Sequence, residues 1–188
     1  MGFISREPRI EGAERQECLA YLEEEMKLGL FRVKVDSLAD EGMMRYGQLA
    51  QKDKAKAFEG MVKVTNHISQ AATELVRRKH EMTFIPDAAL ATSSAWETVY
   101  LDYKTLATSE ATTMEADVHG MATDWEHVQR LVKEVKKAIG KAQREDKRLL
   151  KRLKLTGDEA RGIVDNASRV TEADDWLLKL GKLLNRRE

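Results

Sequence analysis

Small and apolar residues recur every three or four positions between residues 55 and 76, and this spacing restricts the segment to an amphipathic helix. They form two neighbouring stripes, Ala55, Phe58, Val62, Thr65, Ser69, Ala72 and Val76 in one and Met61, Val64, Ile68, Ala71 and Leu75 in the other. Two adjacent stripes make a broad buried face. The pattern stops before Pro86, which disfavours a helical conformation at Ile85. We therefore expect a long helix from Ala55 to Met82 and a break near residues 84–87.

A second apolar stripe with helical spacing lies upstream, so the connection between the two stripes decides the shape of the molecule. That stripe consists of Leu28, Phe31, Val35 and Leu38. Residues 48–56 between the stripes are mostly polar, and Gly42 and Gly47 each disfavour a helix by about 1 kcal/mol relative to alanine. We expect a turn near 47–53 and an antiparallel helical hairpin. One straight rod is the alternative, because no proline interrupts this region.

The remainder of the chain predicts further helices and no sheet. Only Gly120 and Gly140 interrupt helical sequence between residues 87 and 154, so we expect a further long helix that bends at Gly120. Two short helices should follow, the second beginning at a capping box of Thr171 and Asp174. The predicted fold is all-α, with a tail at 1–8, an elongated helical core at 9–155 and short C-terminal helices at 156–188.

No group of residues predicts catalysis or a cofactor. The 11 glycines match no phosphate-binding loop. Glu115 with His119, and Asp124 with His127, have helical metal-ligand spacing, but a di-metal bundle needs a second Glu-x-x-His and more carboxylates. We expect no enzyme, no metal and no cofactor, and we keep a metal-dependent enzyme as a third-ranked alternative.

The cysteine content and the hydropathy bound the location of the protein. The single cysteine, Cys18, cannot form an intramolecular disulfide, and we expect it to be a small buried hydrophobic residue, with a catalytic thiol as the alternative. The longest apolar run falls far short of the roughly 20 residues that cross a bilayer. The sequence thus predicts a cytoplasmic protein with peripheral membrane contact at most.

Charge is strongly segregated along a chain whose net charge is +0. Residues 91–128 carry 1 basic and 7 acidic residues, whereas residues 129–154 carry 11 basic and 3 acidic residues. Such a segment is either a solvated helix face or a surface for anions, namely nucleic-acid phosphates, acidic lipid headgroups or the acidic segment of another copy. No aromatic residue lies between 129 and 154, which argues against base stacking. The candidate anion and self-assembly surface is Lys133, Lys136, Lys137, Lys141, Arg144, Lys147, Arg148, Lys151 and Arg152.

The predicted hairpin resembles that of ESCRT-III subunits, the charged multivesicular body proteins. The resemblance lies in Tyr46-Gly47 followed by Lys52, Lys54, Ala55, Lys56, Ala57 and Phe58, and later in Thr108, Ala111, Met114, Met121, Val128 and Leu131. The C-terminus resembles the MIT-interacting motif of the family at Trp176, Lys179, Leu180 and Leu183.

The charge distribution departs from that of the family. The first helix of the family is basic, whereas residues 7–41 here carry 10 acidic and 5 basic residues, and the motif position expected to be acidic holds Ala173. The resemblance implies a self-assembling membrane-remodelling polymer, an AAA ATPase with an MIT domain as partner, and Phe3 and Ile4 as a membrane wedge. A nucleic-acid-coating or capsid-type protein that uses the basic helix is the alternative function.

The self-assembly hypothesis fails if two conditions hold together: the charged segments are already paired within the chain, and the tryptophan-bearing terminal helix is sealed into the interior of its own chain.

Overall fold

The computed structural model describes residues 7–185, which form six α-helices and no strand. The helices are α1 (Gly12–Leu49), α2 (Lys54–His80), α3 (Leu90–Val118), α4 (Trp125–Leu153), α5 (Gly157–Glu172) and α6 (Asp175–Leu184). A single 3₁₀ turn at Asp87–Ala89 precedes α3. The predicted all-α class is confirmed.

Helices α1 and α2 form the predicted antiparallel hairpin. The chain reverses at residues 50–53, where the Asp53 side chain accepts a hydrogen bond of 3.1 Å from the Lys56 backbone N–H and so caps α2. Gly47 lies inside α1 and does not end it. Near the turn the Tyr46 ring lies directly over Gly60. A side chain at position 60 would therefore have to displace the Tyr46 ring.

The segment predicted as a further long helix is a second antiparallel hairpin. Helix α3 ends at Val118, Gly120 follows with a φ of +66°, and the Asp124 side chain caps α4 by accepting from the His127 N–H. A left-handed residue breaks the helical hydrogen-bond ladder, so the chain reverses at Gly120 and does not merely bend. The reversal packs the acidic helix α3 against the basic helix α4.

Helices α5 and α6 lie along α1 as a two-helix strap. Thr156 and Glu159 form a capping box at the start of α5, and Arg15 of α1 binds Glu159 through two hydrogen bonds of 2.6 and 2.8 Å. The predicted capping box at Thr171 is wrong. Thr171 donates to the carbonyl of Ala167 within α5, and Asp174 caps α6 by accepting from the backbone N–H groups of Trp176 and Leu177.

The main hydrophobic core lies between α1, α2 and α3, and α6 closes one side of it. Its members are apolar residues that repeat at helical spacing, including Phe31, Val35, Val64, Leu75, Val99, Tyr100, Leu177, Leu180 and Leu184. A smaller cluster forms where the first turns of α1 meet the end of α4. There the Ile10 backbone N–H donates to the Arg152 carbonyl at 3.1 Å, which fixes the end of α4 beside the start of α1.

One ion pair is buried at the centre of the bundle. Lys79 Nζ of α2 lies 2.9 and 3.1 Å from the two carboxylate oxygens of Glu25 in α1 and 2.8 Å from Ser93 Oγ in α3. The side chains of Lys79 and Glu25 are only 3% and 6% exposed. The three bonds join three helices at one level along the bundle. A shift of one turn would therefore leave a charge against apolar side chains.

Removing one partner of this pair should destabilise the bundle more than removing both. Glu25→Leu leaves the Lys79 ammonium buried without a counter-charge, so the free energy of unfolding should fall by about 3–5 kcal/mol. Combining it with Lys79→Met removes both charges, and most of that loss should be recovered. Urea denaturation of the two variants above the Glu25 pKa of about 7, where Glu25 is ionised, measures the difference. Equal losses in the single and double variants would show that the pair is not the source of the effect.

The pair also predicts a pH dependence. Burial raises the pKa of Glu25 to about 7 from its ordinary value of 4.5, and the attraction of Lys79 opposes that rise. Because the folded state holds this proton more tightly than the unfolded state, the stabilising contribution is complete below pH 4.5 and is lost as the pH rises through about 7.

Urea denaturation midpoints check the direction of this pH dependence. They are measured for the wild type and for Glu25→Gln between pH 4.5 and a pH above about 7. The stability of the wild type relative to the variant should decline as the pH rises. A relative stability that increases with pH would mean that the attraction between the two charges outweighs the desolvation of Glu25.

Candidate functional site

The basic residues of α4 face outward because its apolar residues face α3. Val128, Leu131, Val135, Ala142 and Leu149 are buried at helical spacing along one side of the helix. The opposite side carries the nine basic residues predicted as an anion and self-assembly surface, here called the α4 basic face. Eight of the nine are exposed, and Arg152 is half-buried.

Very little of this positive charge is neutralised within the chain. Arg148 pairs with Glu145 of the same helix at 3.3 Å, and Arg152 Nε donates to the Pro8 carbonyl at 3.1 Å. Within residues 7–185 the other seven make no ion pair: Lys133, Lys136, Lys137, Lys141, Arg144, Lys147 and Lys151. The α4 basic face is therefore available for an external anion.

The acidic residues of α3 do not pair with α4, although the two helices are adjacent. Glu97 lies 3.3 Å from His80 of α2, and burial together with Asp36 and Asp40 of α1 raises the pKa of Glu110. Asp102 is half-buried, and burial together with Glu134 of α4 raises its pKa. The other four acidic residues of the segment 91–128 cluster at the turn between α3 and α4, here called the acidic turn. Its members are all exposed: Glu115, Asp117, Asp124 and Glu126.

Six members of the α4 basic face form one straight row. They are spaced 4, 4, 3, 4 and 3 residues apart, which keeps them on a single line: Lys133, Lys137, Lys141, Arg144, Arg148 and Lys151. At 1.5 Å per residue the row is about 27 Å long. Such a row can bind an extended anion electrostatically.

The terminal helix α6 is packed onto its own chain. Trp176 lies against Phe31 of α1 with ring centroids 5.6 Å apart, and Leu180 is only 3% exposed. Lys179 and Leu183 face solvent. The four residues predicted to bind an MIT domain therefore do not share a surface while α6 is docked.

An interhelical ion pair holds the junction of α5 and α6 in place. Arg78 Nη1 of α2 donates to Asp174 Oδ2 at 2.6 Å, and its guanidinium lies 4.5 Å from the centre of the Phe31 ring. Asp174 also caps α6 by accepting from Trp176 N and Leu177 N. One carboxylate thus serves both the start of the helix and its attachment.

The other predicted residues have the following positions. Phe3 and Ile4, the predicted membrane wedge, lie outside the described residues 7–185. Cys18 is fully buried, and burial raises the pKa of its thiol. In the described part of the chain no cluster of histidine, cysteine or acidic residues is arranged to hold a metal ion, and no helix has the length and apolar content to cross a membrane.

Sequence reasoning missed the polar groups inside the bundle. Glu25 lies on the same helical stripe as Tyr21 and Leu28, and Lys79 continues the stripe of Leu75. A charged residue within each of two apolar stripes was the sequence signal that could have predicted this buried ion pair. Trp96 Nε1, which donates to Asp146 at 3.0 and 3.1 Å, carried no comparable signal because its partner lies 50 residues away.

No protein-family model, curated protein or solved structure matches the chain. A functional assignment must therefore come from the chemistry of the surfaces described above.

The placement of α6 predicts unequal effects of two neighbouring substitutions. Leu180→Asp puts a charge into the contact with α1 and should cost about 3 kcal/mol or more of stability, with new protease cleavage near residues 173–175. Leu183→Asp is the matched control, and because Leu183 is 37% exposed it should cost clearly less, about 1 kcal/mol. Urea denaturation and limited proteolysis compare the two. Equal effects would contradict the docked position of α6.

Proposed function

We propose that this protein is a non-enzymatic, self-assembling helical protein whose copies associate through the α4 basic face. The observation that carries the proposal is the lack of internal neutralisation: seven of the nine basic side chains make no ion pair within residues 7–185. Because the net charge of the chain is +0, the balancing negative charge is carried elsewhere on the same molecule. A second copy can therefore supply the missing counter-charge.

The acidic turn is the surface that best complements the α4 basic face. Its four carboxylates lie within 12 residues of one another, and the two surfaces belong to different parts of the same hairpin. A contact between two different surfaces is heterologous, and it continues into a ring or an open filament. Salt should weaken such assembly, because exposed charges are screened beyond about 8 Å at physiological ionic strength.

In its finer form the proposal is an ESCRT-III-like polymer that remodels membranes and recruits an AAA ATPase with an MIT domain. This part depends on the sequence resemblance of the hairpin and of residues 176–183. Leu180 is buried against α1, so α6 would have to leave the bundle before a partner bound all four residues.

The alternative function is coating of nucleic acid through phosphate contacts. The straight row of six cations supports it, since a row about 27 Å long matches an extended phosphate backbone better than a single anion. The zero net charge of the chain favours self-assembly, because it provides no long-range attraction to a polyanion.

A charge-swap experiment tests the proposal. The triple variant Lys137→Glu/Lys141→Glu/Arg144→Glu should remain monomeric where the wild type assembles, as measured by sedimentation velocity and negative-stain electron microscopy at low and high salt. Lys52→Glu/Lys54→Glu/Lys56→Glu, at the exposed turn of the first hairpin, makes the same change in net charge and should assemble normally. Adding Glu115→Lys/Asp117→Lys/Glu126→Lys to the first triple variant should restore assembly.

Three outcomes would reject or redirect the proposal. A wild type that is monomeric at every salt concentration, alone or on anionic liposomes, rejects self-assembly. Equal loss in both triple variants rejects the α4 basic face as the interface. Assembly only on duplex DNA, with affinity that falls steeply with salt, supports the nucleic-acid alternative instead.

A further inference from the structure

The acidic turn contains two histidines that take no part in the packing of the bundle. His119 is the C-terminal cap residue of α3, and His127 lies in the first turn of α4. Both are exposed, and within residues 7–185 neither imidazole makes a hydrogen bond or an ion pair. Their helical spacing from Glu115 and Asp124 does not create a metal site in the described part of the chain. Both imidazoles are therefore accessible to protons from solvent.

The two histidines are interspersed with the carboxylates on which the proposed contact between copies depends. His119 lies between Asp117 and Asp124 in the sequence, and His127 directly follows Glu126. With neutral imidazoles the four carboxylates give the acidic turn a charge of four negative units. Histidine is the residue type that changes charge between about pH 5 and pH 8. Protonation of both imidazoles therefore halves the net negative charge of the turn.

The neighbouring elements bring other charged groups to this end of the bundle, and none of them is a histidine. Ser69 of α2 lies 3.3 Å from Thr108 of α3, so the start of the antiparallel helix α2 lies beside the end of α3. The groups are Arg130 of α4, Lys56, Glu59 and Lys63 at the start of α2, and Glu41 and Arg45 at the end of α1. In model peptides arginine, lysine and glutamate titrate outside the range of about pH 5.5 to 7.5.

Contact with the α4 basic face of a second copy opposes protonation of the two histidines. An imidazolium in this contact lies against cations such as Lys137 and Lys141, so the protonated turn binds more weakly. Because protons bind the separated copies better than the assembled ones, assembly is strongest where the imidazoles are neutral. It is lost as the pH falls through about 6.5, the ordinary pKa of histidine.

We propose that His119 and His127 make self-assembly sensitive to pH, so that copies associate above about pH 7 and separate below about pH 6. The inference rests on the proposed function, because it requires the acidic turn to meet the α4 basic face. It names the proton as a regulator of that contact.

Sedimentation velocity at constant ionic strength, at about pH 7.5 and about pH 5.5, tests the inference. The concentration of wild type needed for assembly should rise by about three- to tenfold at the lower pH, because two of four negative charges are cancelled. His119→Asn/His127→Asn cannot take up the two protons and should assemble equally well at both pH values. An undiminished pH effect in this double variant would overturn the proposal.

Two further variants separate the position of the charge from its amount. His80→Asn removes an exposed histidine at the opposite end of α2 and should keep the full pH dependence of the wild type. His119→Lys/His127→Lys should assemble at about pH 7.5 as weakly as the wild type does at about pH 5.5. Glu25 and Glu110, whose pKa values are raised by burial, are present in every variant and cannot cause a difference between them. Loss of the pH dependence in His80→Asn would overturn the assignment to the acidic turn.

The wild type alone distinguishes failure of this inference from failure of the proposed function. Equal assembly at both pH values, or stronger assembly at the lower one, overturns the inference and leaves the α4 basic face as the interface. A protein that is monomeric at both pH values overturns the proposed function and the inference together.

Discussion

The buried contact of Lys79 with Glu25 and Ser93 sets the register of the three helices that form the core. The apolar stripes of α1 and α2 repeat every three or four residues, so several offsets between the helices would bury similar areas. Only one offset brings the ammonium to the carboxylate, at 2.9 Å, and to the serine hydroxyl of α3. The other offsets leave a charge without a partner in an apolar environment, which costs several kcal/mol. Specificity of register, rather than additional stability, is what such a pair provides.

With α1, α2 and α3 fixed in this way, α4 has one main neighbour and a free outer side. Its apolar residues pack mainly against α3, and those at its C-terminal end also contact the start of α1. Seven of the nine cations on the opposite side therefore make no ion pair within residues 7–185. The same arrangement leaves a cavity where α5 crosses between α1 and α4, because α5 buries only Ala167 and does not fill the space. Both features follow from a bundle whose fourth and fifth helices are packed on one side only.

The helices and the first hairpin were predictable because hydrophobic periodicity is a local property of the sequence. The second reversal was not, since Gly120 and Gly140 give the same signal. Gly120 adopts a left-handed conformation and reverses the chain, whereas Gly140 continues α4. The start of α6 was misplaced because Thr171 and Asp174 are both good capping residues, and the choice depends on Arg78, almost 100 residues upstream. An apolar helix face likewise does not reveal whether it contacts its own chain or a partner. The row of basic residues on α4 could be recognised in the sequence. Its lack of counter-charges within residues 7–185 could be recognised only from the way α3 packs against α4.

The double role of Asp174 has a consequence for how the C-terminal region can respond to a partner. The carboxylate that anchors this region to α2 is also the group that satisfies the first free N–H groups of α6, a helix of only 10 residues. An isolated helix of this length is only marginally stable in water. On release, α6 would also lose its apolar contacts with α1. Release from α1 should therefore melt the segment instead of presenting a rigid rod. A binding partner would select a largely unstructured peptide and refold it on its own surface, at reduced affinity for the contact area.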